Sequence, residues 1–194
     1  MDYTVEIRSH TLEYIDEGHI YVVDGIAVPS ITQLINKRLN KYEHIAPAVL
    51  NRAAEHGIYV HDAIQKLCED GEVTDIPEVH NFIFLQRQYG FKVLGNEIPV
   101  ILWHDDDPVA AGRLDLVLEM DGQIGGADIK STATLDRLYL AYQLNSYRLA
   151  YEQSYGITWQ FLRGIHLKDH RRKFVEIPID EACVWEQYDA WRLI

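Results

Sequence analysis

Two aspartates and a lysine within one short stretch are the residues best suited to chemistry. Residues 112–130 read GRLDLVLEMDGQIGGADIK, in which Asp115 belongs to GRLD, while Asp128 and Lys130 belong to DIK. The Asp-Gly pair at 121–122 favours a two-residue hairpin loop, because both central positions of a type I′ turn require positive φ. With this loop, all cross-strand pairs have the same sum of residue numbers, and Asp115 lies directly opposite Asp128. The sequence therefore predicts a β-hairpin that brings two carboxylates together.

The hairpin is predicted to have one polar and one apolar face, since successive strand side chains point to opposite sides. Arg113 and Lys130, opposite each other, share the polar face with both aspartates and Val117. The other face is expected to pack on a hydrophobic core and contains Leu114, Leu116, Leu118, Met120, Ala127 and Ile129.

The opposed aspartates imply a cation between them. Their Cβ atoms would lie roughly 4.5–5.5 Å apart, and like charges directly opposite each other destabilise a hairpin. Lys130 and Arg113 would offset part of this cost. A divalent ion could offset the rest, because Mg²⁺ binds one or two carboxylates and completes its shell with water and phosphate oxygens. Two alternatives stay open: a β-bulge at residues 125–126 would shift the register by one residue, and a surface hairpin with a salt-bridged polar face would need no metal.

The composition is that of an ordinary globular domain. The chain has 194 residues, 47% of them hydrophobic and 25% charged, which suffices for one domain with a core. A net charge of −12 disfavours non-specific attraction to nucleic acid, so a phosphate-containing partner would need a local basic patch and a bound metal. With only two cysteines, Cys68 and Cys183, a four-cysteine iron–sulfur or zinc site is excluded, and free thiols are favoured over a disulfide. No stretch has the pattern of a signal peptide or a membrane span, so we expect a soluble, cytoplasmic protein without membrane contact.

The remaining elements follow from periodicity and capping residues. Short strands are expected over residues 3–28. Residues 30–33 resemble a capping box that starts a helix ending near Asn40, with the basic residues Lys37, Arg38 and Lys41 at its end. Thr134 or Asp136 can cap a helix that runs to about Tyr155, with Gly156 as the residue that ends it. The other predicted elements are helices over 46–69, 77–90 and from about 180, and strands over 95–103, 157–167 and 173–179.

Three groups of polar residues near these elements have both a structural and a functional interpretation. His61 borders an apolar helix stripe, where an isolated histidine is usually a core or boundary residue, and His56 does not share its helix face. Glu97 begins a strand and could be a metal ligand or a structural residue. The aspartates at 105–107 precede a proline, which favours a solvated turn.

Two further groups are expected at the protein surface. His166 and His170 are predicted to belong to an exposed basic loop between two strands. A polar and aromatic helix face is predicted at spacings of four, seven and eight residues and contains Tyr139, Gln143, Ser146 and Tyr147.

The order helix, strand, hairpin, helix, strand, with GRLD and DIK on the hairpin, resembles the core of PD-(D/E)XK nucleases, and within them the RecB-like and phage exonuclease branch. The resemblance covers roughly residues 46–165. It implies an α/β fold with a restriction-endonuclease-like core, a small mixed β-sheet flanked by helices in the order αβββαβ. The whole chain, 1–194, would form one such domain, with strands and a helix over about 1–42 as an extension of the family type. The matching residues are Gly57, His61, Asp115, Asp128, Lys130, Gln143 and Tyr147.

The same resemblance implies a role for each matching side chain. Asp115, Asp128, His61 and the backbone carbonyl of Ile129 would bind Mg²⁺, for which Mn²⁺ would substitute, and Glu97 is a further candidate ligand. Lys130 would orient or deprotonate the attacking water and stabilise charge on the phosphorane. Gln143 and Tyr147 would support Lys130 and, with Arg113, contact the DNA backbone.

These residues lead to the expectation of a metal-dependent deoxyribonuclease, an exonuclease of phage or prophage recombination, in a bacterium or encoded by a phage. Because the chain has no helicase domain, it would act on DNA alone, as an oligomer of itself, or beside a separate recombination or helicase protein. No iron–sulfur cluster is expected. Two alternatives stay open. One is a non-catalytic nucleic-acid-binding or assembly subunit that retains the nuclease fold, and the other is an unrelated soluble domain whose hairpin charges form surface salt bridges.

Overall fold

The computed structural model describes residues 2–39 and 46–192, and within these ranges the chain forms a mixed α/β structure of two β-sheets and five helices. The first sheet is antiparallel and follows chain order: β1 (Tyr3–Ile7), β2 (His10–Ile15), β3 (Ile20–Val23) and β4 (Ile26–Val28). Its buried face packs against Ile101 and Ala111 of the second sheet. The predicted strands before residue 30 are thereby confirmed.

Helix α1 (Ile31–Leu39) begins with the predicted capping box. The Ser30 hydroxyl accepts a hydrogen bond from the Gln33 amide at 3.0 Å, and the Gln33 side chain accepts one from the Ser30 amide at 2.8 Å. The predicted helix end at Asn40 and the nearby Lys41 lie outside the described residues.

Helices α2 (Pro47–Asp70) and α3 (Pro77–Tyr89) confirm the two predicted helices. Each begins with a proline, whose fixed φ suits the first helical position. Each ends at a glycine in the left-handed conformation, Gly71 with φ 71° and Gly90 with φ 68°. Together they cover one face of the second sheet.

The second sheet is mixed and has the order β5 (Lys92–His104), β6 (Asp107–Met120), β7 (Gln123–Lys130), β8 (Phe161–Lys168) and β9 (Arg171–Ile177). All neighbours are antiparallel except β7 and β8, and parallel neighbours need a crossover connection. Helix α4 (Arg137–Tyr155), capped by Asp136 and ended by Gly156, supplies it, and α5 (Ala182–Arg192) packs on α4. Two of the predicted strands are longer than expected, since β5 begins at Lys92 and β6 at Asp107.

The hairpin of β6 and β7 has the predicted loop and register. Asp121 and Gly122 both have positive φ, at 53° and 75°, and the pairs run without interruption from Met120↔Gln123 to Leu116↔Ala127. The alternative of a bulge at residues 125–126 is therefore wrong. These two glycines instead allow close approach of the neighbouring chain, because a Cβ at Gly126 would overlap the Trp159 ring.

The predicted apolar face of the hairpin is only partly correct. Leu116 and Leu118 pack under α2 and α3, whereas Leu114 joins Val117 in the core around α4. Glu97 lies opposite Asp115 in the β5–β6 register and has a φ of 49°. This left-handed residue interrupts strand β5 at the point where side chains of β6 stop alternating regularly between the two cores.

Two predicted surface features are wrong. The α4 face with Tyr139, Gln143, Ser146 and Tyr147 is buried, because α1, α5 and the second sheet surround this helix. His166 is also buried: it lies within β8 beside Lys130, and its Nε2–H donates to the Thr132 carbonyl at 2.7 Å. His170 and the aspartates at 105 and 106 do lie in exposed turns, as predicted.

Both cysteines, Cys68 and Cys183, are free thiols, and burial raises the pKa of each to about 11. Among the helices that the structure describes, none combines the length and the apolar character needed to cross a membrane.

The packing at Gly126 gives a stability prediction. Gly126→Ala should lower the free energy of unfolding by about 1–3 kcal/mol or more, because the new methyl group has no space beside Trp159. Urea titration followed by circular dichroism measures the change. Gly57→Ala is the matched control: a Cβ there would make an ordinary 3.7 Å contact with Ser131, and removing a glycine from the interior of α2 should stabilise the protein by up to about 1 kcal/mol. Equal unfolding midpoints for both variants would contradict this packing.

Candidate metal centre

A cavity of about 300 Å³ lies where α2, the second sheet, α4 and the first sheet meet. It contains nearly all of the side chains that the sequence singled out. The charged and polar residues that α2, the second sheet and α4 contribute to it are His61, Asp62, Glu97, Arg113, Asp115, Asp128, Lys130, Gln143 and Tyr147.

The backbone of Ile129 connects three parts of this site. Its amide donates a hydrogen bond to Oδ2 of Asp115 at 2.7 Å, just beyond the last β6–β7 pair. Its carbonyl accepts a hydrogen bond from Nε2 of His61 at 3.1 Å. Because the Asp115 carboxylate accepts the hydrogen bond of the Ile129 amide, the β6–β7 ladder ends before this point. Asp115 and Asp128 therefore do not form the regular cross-strand pair that the sequence predicts.

The orientation of His61 leaves its second ring nitrogen directed at two carboxylates. Nδ1 lies 3.6 Å from Asp115 and 3.7 Å from Glu97. Burial lowers the pKa of His61, but the charge of Asp115 and the contact with Glu97 outweigh burial and raise it to about 9. A proton on Nδ1 is thus held by the same groups that could hold a metal ion.

Glu97 is positioned by its left-handed backbone and by an ion pair with Arg113. Its Oε2 lies 2.6 Å from Nε of Arg113, and Glu97 is largely buried. Burial lowers the pKa of Arg113, but the Glu97 carboxylate and nearby tyrosines outweigh burial and raise it. The guanidinium therefore stays charged. A non-glycine residue at positive φ within a strand is uncommon, and such conformations concentrate at functional sites.

Asp128 is the most deeply buried acid of the site, with 1% of its surface exposed. Its Oδ2 lies 2.5 Å from Nζ of Lys130, two residues further along β7 and therefore on the same face. Its Oδ1 accepts no hydrogen bond from any described residue. Burial and the nearby Asp115 carboxylate raise the pKa of Asp128, while Lys130 opposes the rise.

Gln143 and Tyr147 line the cavity from α4, one turn apart. The Tyr147 ring lies against the backbone at Gly112, where a Cβ would come within 2.9 Å of it. Burial raises the pKa of Tyr147, and the charge of Asp115 raises it further, so the phenol stays protonated. The glycine of the GRLD motif, Gly112, is therefore needed so that Tyr147 of α4 can pack against β6.

The structure brings together all of the predicted site residues, but it divides them into two groups. His61, Glu97 and Asp115 offer ligand atoms that lie within 4.8 Å of one another and could hold a metal ion. Asp128 stands beside them and is engaged by Lys130. The Ile129 carbonyl, a predicted ligand, accepts the hydrogen bond of His61.

Sequence reasoning missed the side of the cavity formed by the N-terminal part of the chain. The first sheet and the start of α1 contribute Tyr14, His19, Tyr21, Ser30 and Thr32. No local spacing connects these residues with the hairpin, because the contact depends on a long-range bridge between Ser30 and Ala111.

No protein-family model matches this chain, and no curated protein matches it either. Among solved structures, one described as the crystal structure of SSO0001 is similar over 86% of this chain and 75% of that chain, with 16% sequence identity and a TM-score of 0.45. A similarity of this size identifies neither a family nor a function. The interpretation of the site therefore depends on its own residues.

The clustered ligand atoms predict a measurable affinity for Mn²⁺. Isothermal titration calorimetry should show binding to the unmodified protein, and His61→Ala or Asp115→Asn should weaken it at least about tenfold, because each removes a ligand atom or the group that positions it. Asp106→Asn, in the exposed turn before β6, is the control with the same chemical change. Equal affinity in all four proteins would show that the cluster is not the binding site.

Proposed function

We propose that this protein is a divalent-metal-dependent deoxyribonuclease of the PD-(D/E)XK type, and that it acts as an exonuclease. The observation that carries the proposal is the convergence of three acids, a histidine and a lysine on one cavity: Glu97, Asp115, Asp128, His61 and Lys130. Phosphodiester hydrolysis needs this combination of ligands for a hard cation and a cationic group near the attacked phosphate.

The order of elements supports the proposal. Helix α2 precedes strands β5, β6 and β7, which are followed by α4 and the parallel strand β8. This is the order αβββαβ expected of a restriction-endonuclease-like core, with α3 as an additional helix. The two motifs GRLD and DIK lie on adjacent strands at the end of their shared ladder.

The donor atoms suit a hard divalent cation such as Mg²⁺ or Mn²⁺. Carboxylate oxygens are the preferred protein ligands of Mg²⁺, and one imidazole nitrogen is compatible with Mn²⁺. Oδ1 of Asp128 is a buried acceptor with no donor among the described residues, and such an atom usually has an ion or an ordered water as its partner. His61, Glu97 and Asp115 would hold the ion, with Asp128 beside them.

The charge of the cavity gives a second reason for a cation. Four carboxylates line it, from Asp62, Glu97, Asp115 and Asp128. They outnumber the cations Arg113, Lys130 and, while no metal is bound, the protonated His61. A phosphodiester would be repelled by this excess of negative charge. A bound divalent ion would neutralise this excess, polarise the phosphate and lower the pKa of water.

Each side chain around the ion site then has a defined task. Asp128 holds the Lys130 ammonium within the cavity, where Lys130 can orient the attacking water and stabilise negative charge on the phosphorane. Gln143 and Tyr147 limit the space beside Lys130 and supply polar groups for the DNA backbone. Arg113, held by Glu97, contacts an adjacent phosphate.

Cleavage of end-labelled DNA tests this function. With Mg²⁺ or Mn²⁺, and not with EDTA, the protein should hydrolyse single-stranded, duplex or nicked DNA. Lys130→Ala should lower the rate at least about 100-fold, because a positioned proton-transfer or charge-stabilising group is lost, while Mn²⁺ binding persists. Lys92→Ala is the control, since Lys92 is an exposed lysine paired with Glu119 on the sheet.

Three outcomes of this experiment would contradict parts of the proposal. Binding of DNA without metal-dependent cleavage of any substrate would indicate a non-catalytic binding or assembly subunit. If the protein neither binds nor cleaves DNA, the nuclease proposal is wrong and the cavity is only a charged cleft. Loss of Mn²⁺ affinity in Lys130→Ala would assign the lysine to the metal site instead.

A further inference from the structure

Strand β8 places a buried histidine next to Lys130 that the proposed chemistry does not use. His166 lies opposite Lys130 in the parallel β7–β8 register, and only 3% of its surface is exposed. We propose that His166 is a positioning residue for Lys130: it fixes the chain where it leaves β7 and thereby holds the lysine ammonium in place for cleavage. The inference rests on the proposed nuclease function and adds to it a residue that does not itself line the cavity.

His166 and Lys130 project from the same face of the second sheet. Partners in a sheet register point to the same side, and strand alternation places Asp128 on that side as well. The β8 residue opposite Asp128 is Gly164, which has no side chain, and Leu140 of α4 occupies the space above it. His166 is therefore the β8 side chain that flanks the Asp128–Lys130 ion pair.

The hydrogen bond of His166 lies two residues beyond Lys130. Its Nε2–H donates to the Thr132 carbonyl at 2.7 Å, and the Thr132 hydroxyl donates to the Thr134 carbonyl at 2.8 Å. Lys130 is the last residue of β7, and the chain enters neither a strand nor a helix again until α4 begins. The backbone ladder thus ends at Lys130, and the imidazole holds the start of the connection that follows it.

The same connection also borders α2. Ser131, between Lys130 and Thr132, lies against Gly57, where an added Cβ would be 3.7 Å from the serine hydroxyl oxygen. Gly57 lines the cavity about one turn before His61. The connection is therefore tied to β8 on one side and packed on α2 on the other, which limits the movement of Lys130 relative to the metal ligands.

The burial of His166 has a cost that packing does not explain. Nε2 faces a carbonyl oxygen and must carry a hydrogen, while Nδ1 is buried and has no hydrogen-bond partner among the described residues. A buried polar group without a partner lowers stability, and the α4 face of the sheet is otherwise built from apolar side chains such as Leu140 and Leu162. The one hydrogen bond that the ring does make explains why a histidine occupies this position.

Two substitutions of nearly equal length separate this hydrogen bond from packing. His166→Gln keeps an N–H donor for the Thr132 carbonyl, whereas His166→Met fills similar space without one, and His166→Leu is a second variant without a donor. In DNA cleavage with Mn²⁺, His166→Met should lower kcat at least about tenfold and leave KM and Mn²⁺ affinity within about twofold of the unmodified protein. His166→Gln should retain most of kcat. Equal kcat values in all of these proteins, each corrected for its folded fraction by circular dichroism, would overturn the inference.

Chemical labelling of Lys130 reads its position without any cleavage. Acetic anhydride acetylates lysine amines that reach solvent, and peptide mass spectrometry gives the rate at each lysine. In His166→Met the rate at Lys130 should rise several-fold relative to the exposed Lys92, because the ammonium is no longer held at Asp128, whereas His166→Gln should resemble the unmodified protein.

The two measurements distinguish failure of the inference from failure of the proposed function. An unchanged Lys130 labelling rate in His166→Met would overturn the inference, whether or not the protein cleaves DNA. Absence of cleavage by the unmodified protein would contradict the nuclease function, and the labelling rates would still decide whether His166 holds Lys130.

Discussion

The peptide backbone of Ile129 is the constraint on which the site depends. Its amide fixes the Asp115 carboxylate and its carbonyl fixes the His61 ring, so that a strand, a hairpin partner and a helix are connected through one residue. Asp128 and Lys130 flank it on β7 and, by strand alternation, share the face opposite its own side chain. The Ile129 side chain packs under α2 and α3. Core packing on one side of β7 therefore positions the reactive groups on the other.

This arrangement accumulates negative charge that the protein alone does not balance. Asp128 is buried, Asp115 is nearly so, and the pKa values of Asp128 and His61 are both raised by the neighbouring acids. Opposed, desolvated carboxylates cost stability unless a cation compensates them. The acidic composition of the whole chain, with a net charge of −12, has its counterpart in the cavity, and a divalent ion is the simplest group that would make the cavity compatible with a phosphate group.

Local sequence signals predicted the features that depend on neighbouring residues. The Asp-Gly loop at 121–122, the capping box at Ser30 and the glycine that ends α4 each act through residues a few positions apart, and the structure has all three. Features that depend on distant contacts were not predictable in this way. His166 is buried because β8 is an inner strand, and the α4 face is buried because the second sheet, α1 and α5 surround this helix. The side of the cavity that contains His19 forms because the first sheet packs on Ile101 and Ala111 and is joined to β6 at Ala111.

The central claim is that a divalent ion binds between α2 and the ends of β5, β6 and β7. Crystals grown with Mn²⁺ and measured at its absorption edge test this claim most directly, because anomalous scattering locates the ion without reference to activity. The account predicts a peak within coordination distance, about 2.0–2.3 Å, of His61, Glu97 or Asp115, with Asp128 in the same shell or joined to it through water. A peak elsewhere on the protein, or none at a saturating Mn²⁺ concentration, would contradict it.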